Sequence, residues 1–336
     1  MAAENSKISG LTDILPNNHQ ETEEDKSQES SDSFQRQLFQ YQGFWFLKKL
    51  KQGVLRCQNQ FQARDTDVLL VTSPKSGTTW LKALIFAIMN RKTHDPSPTQ
   101  SDQPHPLLTT NPHVLVPFLE VLLQHENMSD LSSTFPSSSP RIFASHIPYV
   151  LLSESMKKSR CKIVYLCRNP KDLFVSYWHF MSKLSQETQG SNSVKDSFEE
   201  FCRGLSIYGP FWDHMLGYYK ESLERPWKIL FLRFEELKNE PVRTLKEIAN
   251  FIGYGFSQEE ENGDVVDNIL KLCSFENLSS LQVNRTERSL LLGVEYNLFF
   301  RHGRVGDWKN FLTIDMVERF NAITQEKLEK HGLKFS

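Results

Sequence analysis

The sequence runs to 336 residues, 39% of them hydrophobic and 12% aromatic, enough apolar side chain to bury a large core; disorder of the chain as a whole is excluded. Lys and Arg number 39 against 41 Asp and Glu, a formal charge of −2. That balance excludes a general nucleic-acid binder with its basic excess, so an anion has to be met at a specific site.

Residues 1 to 35, with ETEEDKSQESSDS at their centre, are acidic and poor in apolar side chains, and are expected to form a disordered acidic tail. No charged-then-apolar leader and no apolar run of the ~18 residues that a span requires is present, so a cytoplasmic protein without a membrane partner is expected. Five cysteines, Cys57, Cys161, Cys167, Cys202 and Cys273, are odd in number and lack CxxC spacing; they read as reduced thiols and argue against zinc. From 36 to 336 the composition is that of one globular domain, with Ser/Pro-rich stretches at 93–106 and 129–140 expected as loops. Short apolar, β-rich runs alternate with helical patterns: 68–72 then 78–89, 141–144 then 150–156, 163–167 then 171–180, and 229–233 then 242–252. That rhythm predicts an α/β fold, a single domain with a central, mainly parallel β-sheet flanked by helices and active groups at the carboxyl ends of strands.

After the first of these strands, SPKSGTTW brings Pro74 to end the strand, Gly77 to admit a close backbone approach, and Thr78 and Thr79 to open a helix. Backbone amides at a helix start, beside Lys75, make a P-loop-like anion site. The plain alternative is a tight turn with a solvated lysine. The Walker order GxxxxGK[ST] is absent, because lysine precedes glycine here, so a magnesium-bound triphosphate has no support. A second segment, CKIVYLCRNPKDLFVSYWHF, sets Arg168 at a strand end and Ser176 two helical turns on, both able to reach phosphate oxygens. An ion pair of Arg168 with Asp172 is the structural alternative. A third, FFRHGRVGDWKNF, offers Arg301, Arg304 and two glycines, which suit phosphate or a solvated basic turn. In RIFASHIPYVLL, His146 follows a strand and is a candidate base, or a packed histidine.

PKSGTTW, CRNPKDLFVSYWHF, YGPFWDHMLGYY, LCSFENL and RHGRVGDWKNF together, in this order and spacing, resemble the cytosolic sulfotransferase family, most nearly its plant members, over about residues 39 to 335. The resemblance implies transfer of a sulfuryl group from 3′-phosphoadenosine 5′-phosphosulfate (PAPS) to a hydroxyl of a small, ring-containing acceptor such as a flavonoid, brassinosteroid, hydroxyjasmonate or desulfo-glucosinolate, with no metal. By position it implies that Lys75, Ser76, Gly77, Thr78 and Thr79 hold the 5′-phosphosulfate and that Arg168, Ser176, Arg301 and Gly303 hold the 3′-phosphate. Trp80 and Phe275 would sandwich the adenine, Tyr208 would hydrogen-bond it, and Cys273 and Ser274 would lie beside it. Cys273 stands where many animal members have threonine, and His302 where the family usually has lysine. His146 aligns with the catalytic histidine. Ala144 stands where animal members have a second lysine, so Lys75 must carry more of the developing charge. Phe44, Trp45, Tyr149, Phe180 and Phe211 are expected to line an apolar acceptor pocket; His179 and His214 receive no role. A protein that binds adenosine bisphosphate without transfer and a nucleotide-dependent phosphotransferase are the alternatives. KNFLTIDMVE, 309–318, resembles the family's dimerisation signature and predicts a weak homodimer with Ile314 on the axis; a helix start with Thr313 as N-cap explains the same residues.

Overall fold

The computed structural model describes residues 37–97, 104–125, 140–186, 193–289 and 293–335. The expected acidic tail, most of the expected loop at 129–140 and the middle of that at 93–106 lie outside these residues. The described chain opens with a hairpin that was not expected from sequence. Strands β1 (Leu38–Tyr41) and β2 (Phe44–Leu47) pair antiparallel, with Tyr41 against Phe44. Gln42 and Gly43 between them have φ of 47° and 85°, the paired positive values that a two-residue hairpin turn requires.

Four further strands, β3 (Val68–Thr72), β4 (Ile142–Ser145), β5 (Lys162–Cys167) and β6 (Ile229–Arg233), form one sheet in the order β4-β3-β5-β6, with every pair parallel. VLLVT of β3 is buried throughout and KIVYLC of β5 is buried after its first residue. Continuous apolar runs of this kind mark strands covered on both faces. The covering helices used below are α1 (Lys51–Asn59), α2 (Thr78–Asn90), α3 (Leu119–His125), α4 (Pro170–Gln186), α5 (Phe211–Glu224), α6 (Pro241–Phe251) and α7 (Ile314–Lys327). Tyr165 of β5 stacks on Tyr218 of α5 at 4.5 Å, and Phe174 of α4 meets Phe320 of α7 edge-on at 5.5 Å, so sheet and helices share one apolar core.

One expected helix differs. Over 150–156 the chain makes a 3₁₀ turn, Tyr149–Leu151, and then a separate short helix, Glu154–Lys158. Ser153 separates them: its side chain accepts from Met156 N, so it caps a new helix instead of continuing the first turn.

The strand order positions the site. From β3 the chain moves to one side to build β4 and then to the other to build β5, which leaves a crevice at the carboxyl ends. Val71 pairs with Ser145, Thr72 with Leu166, and Cys167 with Arg233, so the strands end nearly level. The loop after Thr72, His146 after β4 and Arg168 after β5 therefore arrive at the same edge.

Candidate active site

At that edge lies a cavity of about 390 Å³. Lys75, Gly77, Thr78, Thr79, Trp80, His146, Arg168, Ser176, Tyr208, Cys273, Ser274, Phe275, Arg301, His302 and Gly303 all line it. Ser76, the remaining residue assigned from sequence, is fully buried in the loop, and its Oγ has no hydrogen-bond partner among the described residues.

Lys75 and Gly77 both take positive φ, 72° and 105°, and Gly77 forms the N-cap of α2. A Cβ on Gly77 would lie 2.8 Å from the Phe234 ring, so only glycine fits this close approach. The first-turn amides of α2 have no partner within the helix, and the residues that carry them, Thr78, Thr79 and Trp80, line the cavity. Lys75 Nζ lies 4.2 Å from the centroid of Phe180 and donates to Leu298 O over 3.4 Å. Burial, and after it the positive charges of Arg168, Arg301 and Lys183, bring its pKa down to about 7.

Arg168 is buried at the end of β5, where its guanidinium donates to the carbonyls of Arg304 at 2.7 Å and Lys75 at 3.3 Å. The ion pair with Asp172 is not what the structure uses to hold it. Asp172 instead accepts from Gly306 N at 2.7 Å and Trp308 N at 3.0 Å, tying α4 to the third basic segment. In that segment Arg301 pairs with Asp307, and a Cβ on Gly303 would meet the Phe275 ring at 2.7 Å. Trp80 packs edge-on against Phe234 and Phe275 against Phe300, so both rings are held from behind. Ser274 caps the helix that begins at Phe275 by accepting from Asn277 N. Buried Arg168 Nε and Arg301 Nε, like Ser76 Oγ, have no partner among the described residues. Unspent donors, crowded cations and two glycine-lined approaches are what a ligand with two anionic ends and a flat ring requires, so the residues fit PAPS.

His146 is fixed from several sides. Its Nδ1 donates to the Thr72 carbonyl at 2.7 Å, which puts the ring proton on Nδ1 and leaves Nε2 with a free lone pair. Its backbone N donates to Glu120 Oε1 at 2.9 Å, and its carbonyl accepts from His214 Nε2 at 2.9 Å. Burial pushes its pKa down to about 3, although the Thr72 carbonyl opposes that shift, so the ring is neutral.

Several of these partners were not identified from sequence. His214, which had no assigned role, orients the His146 backbone, and its Nδ1 accepts from Tyr165 Oη at 3.0 Å. Glu120 is fully buried, and burial raises its pKa despite the hydrogen bonds it accepts. Tyr208, expected beside the adenine, lines the cavity; its hydroxyl donates to Glu120 Oε1 at 3.1 Å, and its ring lies 5.2 Å from that of His146. Of the five residues expected in the acceptor pocket, only Phe180 lines the cavity. Phe44, Tyr149 and Phe211 are buried in the core instead, with Tyr149 against Tyr218 and Phe211 against Phe201, while Trp45 spends its backbone on Gly209 and Tyr208. Leu47, Leu50, Phe118, Tyr177, Ile207 and Phe299 supply the apolar lining in their place. The one signal open to sequence reading was Lys82, a lysine inside the apolar run LKALIFA, which lies fully buried behind the loop.

A site of this kind suits an α/β transferase that moves an anionic group from a phosphorylated donor. Comparison with known proteins gives the family: residues 65–332 match the sulfotransferase domain, and the chain belongs to that family. Cytosolic sulfotransferase 5 of Arabidopsis thaliana is 50% identical over 300 residues, covering 89% of this chain and 90% of its own length. Cytosolic sulfotransferase 12 of the same plant is 48% identical, with 89% of each chain covered. Among solved structures, an Arabidopsis thaliana protein assigned as a steroid sulphotransferase superposes with a TM-score of 0.68 at 43% identity, covering 89% of each chain. The mouse sulfotransferase SULT7A1 complexed with PAP gives a TM-score of 0.68 at 26% identity, covering 88% of this chain and 95% of that one. The chain is thus a sulfotransferase, an enzyme that moves a sulfuryl group to an acceptor hydroxyl. Among the described residues no helix is long and apolar enough to cross a membrane, and no group of three or more His, Cys, Asp or Glu is placed to hold a metal ion.

Proposed function

We propose that His146 is the general base of sulfuryl transfer from PAPS to the hydroxyl of a small, ring-containing acceptor, with Lys75 the cation that meets the charge released. The observation that carries this reading is the bond from His146 Nδ1 to Thr72 O, because it fixes the tautomer with its basic nitrogen free. The mouse relative complexed with PAP supports PAPS as the donor. When bound, PAPS supplies the sulfuryl group and departs as PAP. His146 Nε2 takes the proton of the acceptor hydroxyl as that oxygen bonds to sulfur. Lys75 Nζ neutralises the oxygen left on the 5′-phosphate as the bridging bond breaks. Ser76, Gly77, Thr78 and Thr79 hold the 5′ end; Arg168, Ser176, Arg301 and Gly303, with His302 at the rim, hold the 3′-phosphate. Trp80 and Phe275 hold the adenine beside Cys273 and Ser274, while Tyr208 and Glu120 hold His146.

The apolar lining beside His146 suits a flat or ring-containing alcohol or phenol, the chemistry shared by flavonoids, brassinosteroids and hydroxyjasmonates. Labelled PAPS with a panel of these acceptors tests the reading. It predicts sulfated product from the unaltered chain, product formed at a rate lower by about 10²-fold or more from His146→Ala, and the same yield with a chelator present; product from His146→Ala at the normal rate would overturn it.

The same proposal covers the setting of the enzyme: a cytoplasmic protein whose domain spans 36 to 336 behind an acidic tail, without nucleic-acid or membrane partners. A weak homodimer is included. Ile314, the first residue of α7, is 76% exposed, and Thr313 caps that helix by accepting from Met316 N. The N-cap and the dimer contact are compatible, since the cap uses only the Thr313 side chain and leaves Ile314 for a partner copy.

A further inference from the structure

Lys82 lies one turn beyond Thr79 on α2, with no exposed surface. As packing, a lysine here is unfavourable, because an apolar side chain would avoid the desolvation of the amine. Its Nζ nevertheless has two specific neighbours, His113 Nδ1 at 3.0 Å and the face of Phe118, whose centroid is 3.4 Å away. The other ring nitrogen carries the connection onward: His113 Nε2 lies 3.0 Å from Thr79 Oγ1, and Thr79 lines the cavity. Phe118 at 5.3 Å and Phe299 at 4.4 Å hold the His113 ring between them.

We propose that Lys82 and His113 are positioning residues of sulfuryl transfer, which present the Thr79 hydroxyl to the 5′ end of PAPS as a hydrogen-bond donor. The proposal rests on the placement of Thr79 at that end. With an anion bound, Lys82 keeps its proton; an ammonium offers only hydrogens, so it then donates to Nδ1, the ring proton sits on Nε2 and is donated to Thr79 Oγ1, and the hydroxyl hydrogen is left for the cavity. Without the lysine, the ring proton can sit on Nδ1. Thr79 then donates to Nε2 and turns an oxygen lone pair towards the anion. Lys82 therefore sets the direction of every bond in the chain. Burial weakens its hold on its proton, the Glu120 carboxylate opposes that effect, and a bound anion opposes it further.

A double-substitution cycle on the full chain tests this, reading the PAPS Kd by calorimetry and the KM of PAPS and acceptor by turnover. Thr79→Val and Lys82→Met are each expected to raise the PAPS Kd roughly tenfold, with the acceptor KM changed by less than about twofold. The double variant is expected to be no weaker than the weaker single, because both remove one contact. In ¹⁵N spectra the His113 ring is expected to be protonated at Nε2 in the PAP complex and to lose that preference in Lys82→Met. His113→Phe keeps the ring between Phe118 and Phe299 and replaces Lys82→Met in the cycle if that variant does not fold. A double variant weakened about a hundredfold, the product of independent losses, overturns the proposal. So does wild-type PAPS affinity in the Lys82 and His113 variants. If Arg168→Ala weakens PAPS binding while these do not, this inference alone falls; if the unaltered chain does not bind PAPS, the site assignment falls with it.

Discussion

His146 Nδ1 and the Thr72 carbonyl meet at 2.7 Å, joining the residue just beyond β4 to the last residue of β3. The two strands are in register, with Val71 opposite Ser145, so sheet pairing itself delivers the imidazole to that carbonyl. The imidazole is thus oriented by main chain, and no side-chain substitution at position 72 removes its principal partner.

Loss of the imidazole should therefore separate chemistry from binding. His146→Ala is expected to lower kcat by about 10²- to 10⁴-fold while the Kd of PAP changes little. Single-turnover assays beside PAP calorimetry check this; near-normal turnover would require a different base.

Binding of PAPS should weaken as pH rises through neutrality. Lys75 has a pKa of about 7 in the free protein, so it is charged below that pH and must take up a proton to meet the anion above it. The PAPS Kd is expected to rise about tenfold per pH unit above 7 until the pKa of the complex is reached. Calorimetry from pH 6 to 9 in buffers of different ionisation enthalpy should show that uptake, and Lys75→Met should reduce it. A flat profile in the unaltered chain would count against the coupling.

Two glycines with positive φ separate strain from function. Gly77→Ala brings a Cβ to 2.8 Å from the Phe234 ring and is expected to lose about 1–3 kcal/mol of stability together with PAPS affinity. Gly253 has a φ of 81° with open space around its Cβ, so Gly253→Ala should cost about 1 kcal/mol and leave PAPS binding unchanged. Thermal melts and PAP titration of both variants give the comparison, and equal effects on binding would disprove the local role of Gly77.

Ile314→Glu is expected to give monomers whose PAPS affinity matches the unaltered chain, because Ile314 is exposed and does not line the cavity. Sedimentation at tens of micromolar decides this; an unaltered chain that is monomeric there would refute the homodimer.

Removal of residues 1 to 35 should leave the melting temperature and PAP affinity unchanged, since their composition provides no apolar face to pack. A large fall in melting temperature would show that they pack on the domain.

Legibility in the sequence followed the distance over which each contact is made. β3 and β5 were readable because a strand buried on both faces leaves an unbroken apolar run, and Lys75 or Arg168 because each sits in a short motif at a strand end. Glu120 was not, because its bonds reach His146, 26 residues away, and Tyr208, 88 away, and no local pattern announces either. The acceptor wall failed for a related reason. Composition marks Phe44, Tyr149 and Phe211 as aromatic but cannot say which face of the fold each meets, and the core claimed all three. The hairpin was missed because two strands of four residues give too short an alternation to read.

The Asp172 carboxylate holds the amides of Gly306 and Trp308, so the loop bearing Arg301 and Gly303 is ordered before any nucleotide arrives. The entropy of fixing that loop is thereby met during folding, and it does not reappear as a penalty on association. If that loop receives the 3′-phosphate as proposed, the group is common to PAPS and PAP, so a rigid receptor would grip substrate and spent product equally and add nothing to the barrier between them. On that proposal, loosening the clamp with Asp172→Asn is expected to speed the release of PAP, which stopped-flow displacement of PAP from the variant and the unaltered chain would check.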